Sequence, residues 1–472
     1  MRALALFLLL LTTLFTHLAA QASDTDTGMY FIGFRDKAGT SATLDDPRAY
    51  LTDKALIRRA AVGKQVDELD LPISPAYEAA VVATGAKLWL RSKWMNGVVV
   101  AAAGPQLDRL RALDFVDTVY YAAPVQYERT GSRPMVPNLD RPAPAFSAPR
   151  LPVTEQFYGL GWRDLTRMNG DTLHRLGYRG AGVTVAVFDG GFPNVNYRDF
   201  LGYPSDEYLP ANYDVVEQDS TAYDGSTHGA TVLSTMAAYH PFFFIGMAPE
   251  ARYVLFTTEN GRGEHRLEEI NYAVALEIAD SIGVDIVNSS LGYNTFGDRA
   301  MNYTYENLDG KTSPASIAVD RAFERGMIVV TSAGNNGLDD WKYIGIPADA
   351  RGAFSIGAVD TDADTRAGFS SFGPTPDGRI KPDVSAPGVG IRAVAANGRG
   401  LTGANGTSLS APLVTGMLAC LKQAVPDATN IELLDAVRQT ASQAQTPDGV
   451  LGYGIPNFGA AYRRLMDVRR EP

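Results

Sequence analysis

The sequence predicts an α/β protein in which a parallel sheet carries helices on both faces, preceded by a small α+β domain. Three observations lead to this prediction. Over the last two-thirds of the chain, β-branched apolar runs alternate with helical segments, a pattern typical of repeated βαβ units. A proline-rich stretch separates this region from an N-terminal part that also contains strands and helices. An apolar segment at the N-terminus stands apart from both.

The N-terminal segment is typical of a secretory signal peptide. Met1 and Arg2 lead into an apolar stretch over residues 3–18, and Ala20-Gln21-Ala22 fits a cleavage signal. The apolar core is shorter than the roughly 20 residues that a spanning helix needs. We therefore assign residues 1–22 to a signal peptide and expect a secreted protein, extracellular or periplasmic, with no membrane association once the signal is removed.

Residues 23–127 form the predicted α+β domain. Its strands are expected at residues 29–34, 87–103 (a pair) and 118–122, and its helices at 51–62 and 107–113. Residues 128–156 follow as a linker, because its closely spaced prolines favour an extended chain that proteases reach.

The last domain is expected to span residues 157–472. Its strands are predicted at 183–188, 252–257, 284–288, 327–331 and 354–359, with helices at 267–282, 315–325 and 458–468. Such alternation builds a parallel sheet.

Composition excludes some classes of function. The net charge is -11, from 42 Lys and Arg against 53 Asp and Glu, so no nucleic-acid partner is indicated. Cys420 is the one cysteine, which excludes intrachain disulfides and leaves stability to core packing.

A candidate nucleophile lies in Gly406-Thr407-Ser408-Leu409-Ser410-Ala411-Pro412. A glycine turn here precedes an apolar helix, so an oxyanion forming beside Ser408 would meet unpaired N–H groups and the positive end of the helix dipole. The alternative is that Thr407 or Ser408 only caps the helix.

Two upstream residues are the candidate partners of this serine. The apolar run 183–188 ends at Asp189, which places a carboxylate at the carboxyl end of a buried strand. His228 precedes the apolar run 233–239 and therefore lies near the start of a helix. The other four histidines lack a comparable setting.

With its order Asp189, His228, Ser408 and the residues around each, the chain resembles the subtilase family of serine proteases. This resemblance implies a secreted endopeptidase of broad specificity that hydrolyses peptide bonds through an acyl-enzyme on Ser408. It implies that residues 23–127 are a propeptide that inhibits the enzyme until a cut within 128–156, so that the chain is made as a zymogen. The alternative for residues 23–127 is an unrelated accessory domain.

The resemblance extends to further site residues. In Ser332-Ala333-Gly334-Asn335, after a predicted strand, Asn335 would donate to the oxyanion; losing such a donor costs about 100- to 1,000-fold in rate, a magnitude that comes from a subtilisin. Ser290, Leu291 and Gly292 would pair with an extended substrate and, with Ala333 and Gly334, form the walls of the first side-chain pocket. These residues are small and uncharged, which predicts a preference for large apolar or otherwise unremarkable side chains.

The expected partners are polypeptide substrates and the chain's own propeptide, and we expect a monomer. No cofactor is required by this chemistry. Structural calcium is common in the family, but no dense acidic loop identifies ligands, so no metal site is assigned.

Three residues depart from the family pattern: Gly190, Ala230 and Leu409 replace a Ser or Thr, a Thr and a Met. The first two remove hydroxyl groups near Asp189 and His228, so these side chains are expected to be held more loosely or by other groups. Two other functions stay open. One is a catalytically silent subtilase fold used for binding. The other is an α/β-hydrolase esterase, which would need a different residue order and a G-x-S-x-G elbow.

Overall fold

The computed structural model describes residues 27–125, 152–202 and 208–469. The predicted signal peptide and most of the predicted linker therefore lie outside the described residues. The chain divides into two compact units. Of the described residues, the smaller unit comprises 27–40, Ile73–Arg91 and 96–125, and the larger comprises Ser41–Pro72, Ser92–Met95, 152–202 and 208–469.

The strands are β1 Gly28–Phe34, β2 Lys87–Ser92, β3 Gly97–Ala102, β4 Val116–Pro124, β5 Thr184–Asp189, β6 Ala211–Asp214, β7 Tyr239–His240, β8 Phe244–Ile245, β9 Arg252–Thr257, β10 Ile286–Ser289, β11 Ile328–Ser332, β12 Ala353–Asp360, β13 Thr365–Arg366, β14 Val384–Pro387, β15 Ile391–Val394 and β16 Leu401–Ala404. The helices are α1 Asp53–Ala61, α2 Pro75–Ala83, α3 Gly104–Arg111, α4 Glu155–Tyr158, α5 Trp162–Arg167, α6 Asp171–Arg175, α7 Arg198–Leu201, α8 Thr227–Ala237, α9 Arg266–Ser281, α10 Pro314–Glu324, α11 Thr407–Ala424, α12 Asn430–Thr440 and α13 Phe458–Val468. Single 3-10 turns occur at Pro47–Ala49, Glu68–Asp70, Arg299–Met301 and Tyr305–Asn307.

The smaller unit is a sheet of order β2-β3-β1-β4 in which β1 runs antiparallel to β3 and β4. Its core joins apolar residues of the sheet to those of the two helices: Ile32, Val98 and Val100 from strands, Val81 from α2 and Leu110 from α3. This α+β arrangement agrees with the predicted fold class.

The larger unit is built on a sheet of order β13-β12-β11-β10-β5-β9-β6, with β14 also paired to β12. β5, β10, β11, β12 and their partners β9, β6 and β14 run parallel, and β13 is antiparallel. The strands β5, β10 and β11 are wholly buried, as expected for a parallel sheet covered on both faces. The predicted doubly covered parallel sheet is confirmed.

The register of the central strands fixes where their carboxyl ends meet. Phe188 of β5 pairs with Ser289 of β10, which pairs with Thr331 of β11. The residues that follow these three strands therefore emerge side by side at one edge of the sheet.

The helix α11 runs through the core of the larger unit. Its residues from Thr407 to Leu421 are all buried, and it packs against α8 and against β10, β11, β12 and β14. Cys420 lies on this helix with no exposed surface and packs as a small core residue.

Most predicted elements occur within a few residues of their expected bounds. The predicted strand 183–188 is Thr184–Asp189, so Asp189 is the last strand residue rather than the first residue beyond it. The helices α2 and α12 and the β15–β16 hairpin are not predicted from the sequence.

Candidate active site

Asp189 and His228 are joined by hydrogen bonds. His228 Nδ1 lies 2.8 Å from Asp189 Oδ2 and 3.0 Å from Asp189 Oδ1. The Asp189 side chain is 2% exposed and the imidazole 40% exposed, so one edge of the ring faces solvent while the carboxylate is enclosed.

Local backbone contacts hold Asp189 and His228 in position. Ser226 is the N-cap of α8, and its Oγ accepts from His228 N. Ser226 N in turn donates to Gly190 O, which ties the start of α8 to the end of β5. A Cβ on Gly229 would lie 2.4 Å from Gly191 O and 2.7 Å from Asp189 Cβ, so only glycine after the histidine allows α8 to approach the strand this closely.

A backbone bond holds the Asp189 carboxylate although residues 190 and 230 carry no hydroxyl. Asp189 Oδ1 accepts from Gly190 N at 2.8 Å, a bond that requires no side chain at residue 190. The carboxylate is therefore held by its own turn and by the imidazole.

The charge of Asp189 sets the titration of His228. Burial lowers the pKa of His228, but the neighbouring carboxylate charge and its hydrogen bond raise it by more, so the net pKa lies above its ordinary value. An imidazole held this way is stabilised as a cation after it accepts a proton.

Ser408 is the second residue of α11, in the first turn, where N–H groups have no partner within the helix. Pro412 stands four residues later and lacks the N–H that would donate to Ser408 O. Ser290 Oγ donates to Ser408 O instead, at 2.9 Å. The predicted substrate-binding segment is thereby attached to the carbonyl of the candidate nucleophile.

Asn335 lies next to Gly406 and is bonded to Thr407, the first residue of α11. Its Oδ1 accepts from Thr407 N at 2.9 Å and from Thr407 Oγ1 at 3.0 Å. A Cβ on Gly406 would meet Ser408 Oγ at 2.9 Å and Asn335 Nδ2 at 3.5 Å, and Gly406 has φ +150. Both groups thus flank this glycine, whose conformation and surroundings exclude a side chain.

Thr407 is a site residue that the sequence reasoning treated only as a possible cap. The N-cap of α11 is Gly406. Thr407 Oγ1 instead accepts from Gly334 N at 3.1 Å and donates to Asn335 Oδ1. The sequence offers no local signal for this role, because the partner loop lies more than 70 positions away.

The five predicted substrate-binding residues follow β10 and β11, which are neighbours in the sheet. Ser290 and Ala333 are buried, Leu291 and Gly334 are half-buried, and Gly292 is exposed. Because the Ser290 hydroxyl is bonded to Ser408 O and accepts from Asn288 Nδ2, it is held by α11 and β10.

No hydrogen bond joins His228 to Ser408 in the part of the chain that the structure describes. The two residues begin neighbouring helices that pack together, α8 and α11. A substrate-free arrangement of this kind is common, because catalytic hydrogen bonds often shorten only with substrate bound.

A group of three carboxylates lies near the predicted substrate segment. Glu259, Glu264 and Glu268 have oxygens within 4.8 Å of one another. Burial, and for Glu259 and Glu268 repulsion between neighbouring carboxylates, raise their pKa values. Both oxygens of Glu268 already accept backbone N–H groups, from Asn260 and His265. This set does not fit the six to eight free oxygen ligands that calcium takes, so no metal site is assigned.

Among the described residues, no helix is long and apolar enough to cross a membrane.

Comparison with known proteins places the chain by similarity. Residues 180–454 match the peptidase S8 domain of the subtilase family, and residues 29–135 match the peptidase S8 propeptide domain of Bacteroidota. The chain is 31% identical over 308 residues to a subtilisin of Bacillus pumilus, covering 63% of this chain and 97% of that protein. It is 28% identical over 329 residues to an alkaline protease of Alkalihalobacillus alcalophilus, covering 68% and 75%.

Two solved structures share the fold. The epidermin leader peptide processing serine protease of Staphylococcus aureus aligns with a TM-score of 0.64 and 15% identity, over 95% of this chain and 100% of that one. Fervidolysin of Fervidobacterium pennivorans, a keratinolytic enzyme related to subtilisin, aligns with a TM-score of 0.61 and 22% identity, over 94% and 62%.

Proposed function

Because this chain belongs to the subtilase family and is a serine endopeptidase with a propeptide domain, we propose that Asp189, His228 and Ser408 form its catalytic triad. The observation that carries the proposal is the enclosed Asp189 carboxylate on His228 Nδ1, with Ser408 in the first turn of the neighbouring helix α11. The enzyme is secreted and is made as a zymogen. It acts as a monomer and cleaves polypeptides with broad specificity.

The three triad residues and Asn335 have distinct roles in the reaction. Asp189 holds His228 with Nδ1–H toward the carboxylate, which leaves Nε2 as the base. His228 takes the Ser408 proton as Oγ attacks the peptide carbonyl, then gives it to the leaving amine. Water then hydrolyses the acyl-enzyme with the same base. Asn335 Nδ2 and Ser408 N donate to the oxyanion in both halves.

The substrate would bind as an added strand beside residues 290–292. Ser290, Leu291, Gly292, Ala333 and Gly334 contribute no charge to the first pocket. We therefore expect a preference for large apolar or otherwise unremarkable side chains before the cleaved bond. A peptide-library profile dominated by Arg or Lys at that position would contradict this specificity.

The domain organisation belongs to the same proposal. Residues 1–22 are a signal peptide, 23–127 an inhibitory propeptide, 128–156 the linker that is cut, and 157–472 the catalytic domain. The match of residues 29–135 to a peptidase S8 propeptide supports the second assignment. N-terminal analysis of the mature protein should give a start within 128–156, and a start near Ser23 would overturn it.

One experiment tests the reaction itself. The full chain and its Ser408→Ala variant are expressed side by side, and their size and labelling by a fluorophosphonate are compared. Ser410→Ala is the matched control, since this serine lies on the same helix with its hydroxyl donating to Pro387 O. We expect maturation and labelling in the wild type and Ser410→Ala only. Identical sizes without labelling in all three would favour a silent binding module.

A further inference from the structure

Residues 41–72 precede the predicted linker, yet they belong to the same compact unit as the candidate catalytic residues. The helix α1 lies in this segment, which we call the anchor segment. Of the nine residues of α1, the buried ones are Ala55, Arg58 and Arg59, so its buried face carries two cations. Buried cations require partners, and their partners identify the surface that binds them.

The partners form one network of ion pairs. Arg59 binds Asp70 through two parallel bonds of 2.8 Å, and it also pairs with Asp280 of α9, as Arg58 does. Arg325, which follows α10, donates to Asp70 at 3.2 Å and to Asp67 at 3.0 Å. The side chains of Arg59, Asp70, Asp280 and Arg325 are at most 1% exposed.

The anchor segment also completes the carboxyl ends of two helices of the larger unit. Thr52 N donates to Ser281 O at the end of α9. Arg58 donates to Asp280 O at 3.3 Å, in the last turn of α9, and to Arg325 O, directly after α10. It also donates to Val284 O, in the chain that follows α9. Helix ends of this kind carry unpaired carbonyls and a partial negative charge, which cations such as Arg58 stabilise.

The ion pairs connect residues that precede the predicted linker to residues that follow it. Within the described residues, the carboxylate of Asp280 is paired by Arg58 and Arg59, and the guanidinium of Arg325 by Asp67 and Asp70. Every one of these pairs joins a residue before the linker to a residue after it. Lys54 adds a further pair with Asp285 at 2.6 Å.

Removing one partner of a buried pair while the other stays buried is strongly destabilising, whereas exposed pairs contribute little. Release of the anchor segment would break several buried pairs and uncover the helix ends together. These contacts favour a segment that stays bound to the catalytic unit after the chain is cut.

We propose that the anchor segment stays bound to the catalytic unit after the linker is cut, as a permanent non-covalent part of the active enzyme, and that within residues 23–127 only the smaller unit, which precedes and follows the anchor segment in the sequence, inhibits. Its binding surface on the catalytic unit is formed by Asp280, Asp285 and Arg325 with the carboxyl ends of α9 and α10. This inference rests on the proposed function in one respect, that the chain matures by cleavage in the linker.

The first experiment uses the matured wild-type protein. The fluorophosphonate-labelled enzyme is purified by gel filtration in 0.15 M and in 1 M NaCl. It is then denatured, and its peptides are identified and quantified by mass spectrometry. We expect peptides covering Arg58 to Asp70 in a ratio of 1:1 with those of the catalytic domain at both salt concentrations, since buried pairs are little screened. Labelled enzyme that lacks these peptides would overturn the proposal.

The second experiment tests the ion pairs with a matched control. The Ser408→Ala chain carries a site for an added protease within residues 128–151, so cleavage does not depend on the chain's own activity. Arg59→Met is compared with Arg48→Met, because Arg48 pairs with Asp53 on the same segment with both side chains mostly exposed. After the cut, we expect Arg59→Met to weaken retention of the N-terminal piece about 100- to 4,000-fold, the equivalent of about 3–5 kcal/mol, and Arg48→Met to leave it unchanged.

Equal retention in both variants would refute the role of the network. If Arg59→Met does not fold, hydrogen exchange on the cut Ser408→Ala chain decides, because retained residues 52–61 stay protected and released ones do not. If the wild type never cuts itself but the cut Ser408→Ala chain retains its N-terminal piece, the proposed maturation fails and the anchor stands.

Discussion

Replacing Asn335 by Asp separates two tasks that one side chain performs. Asn335 Oδ1 accepts from Thr407 N and Thr407 Oγ1, and Nδ2 is the proposed oxyanion donor. Asp keeps the accepting oxygen and replaces the donor by an oxygen that repels an oxyanion. Asn335→Ala removes both.

The expected magnitudes follow from these contacts. Loss of the donor lowers kcat at least 100- to 1,000-fold, about 2.7–4 kcal/mol, the range known for such a donor in a subtilisin. KM should change little, since the bond forms only in the transition state. For stability, Asn335→Ala leaves the buried Thr407 N–H unpaired and costs about 1–3 kcal/mol, whereas Asn335→Asp should stay within about 0.5 kcal/mol of the wild type.

The assay measures kcat and KM on a chromogenic peptide for each variant. Urea unfolding is measured in the Ser408→Ala background, so that self-digestion does not distort the curves. A kcat for Asn335→Asp within tenfold of the wild type would refute the oxyanion role. Equal destabilisation by Asp and Ala would refute the accepting role toward Thr407.

Three further outcomes are expected. Asp189 raises the pKa of His228, and the proposed base acts only when it is neutral. The acid limb of kcat/KM should therefore lie above the ordinary histidine pKa of about 6.5 and move to lower pH in Asp189→Asn, where kcat also falls about 10,000-fold. An unmoved limb would contradict the proposed roles of Asp189 and His228. Ser290→Ala leaves the carbonyl of Ser408 unpaired and should cost about 1–3 kcal/mol in urea unfolding. Ser355→Ala should cost clearly less, because the buried Ser355 hydroxyl has no hydrogen-bond partner among the residues that the structure describes. Equal costs would refute the role of the Ser290 bond. Burial raises the pKa of Glu259, so the folded protein binds the Glu259 proton more tightly than the unfolded chain does. The free energy of unfolding should therefore fall as pH rises from the ordinary glutamate pKa through the raised one. Glu259→Gln should flatten this fall in unfolding measured across pH, and an unchanged slope would contradict the effect of burial on Glu259.

The sheet and the positions of the candidate reacting groups could be predicted because they depend on local patterns. A buried apolar run ending in Asp189, and a glycine turn before an apolar helix at Ser408, each report their own surroundings. Parallel pairing then brings the ends of β5, β10 and β11 together without any knowledge of the side chains between them.

The supporting contacts could not be predicted, because each joins residues far apart in sequence. Ser290 compensates for the N–H that Pro412 lacks, and the two are 122 positions apart (412 − 290). The pairing of Arg59 with Asp280 spans 221 positions, so the helix pattern around residue 59 contains no sign of it. The predicted domain boundary likewise rested on the proline-rich stretch, whereas the anchor segment joins the larger unit through its ion pairs.

The burial of α11 has a consequence for the timing of protein synthesis. Asp189 and His228 lie early in the larger unit, but Ser408 opens a helix whose residues are enclosed by four strands that precede it. The proposed acid and base are therefore synthesised long before the proposed nucleophile, and α11 can pack only after those strands have paired. We expect a chain that stops short of α11 to be harmless to its neighbours, with proteolysis beginning only after residues 407–424 have been made and have packed against those strands.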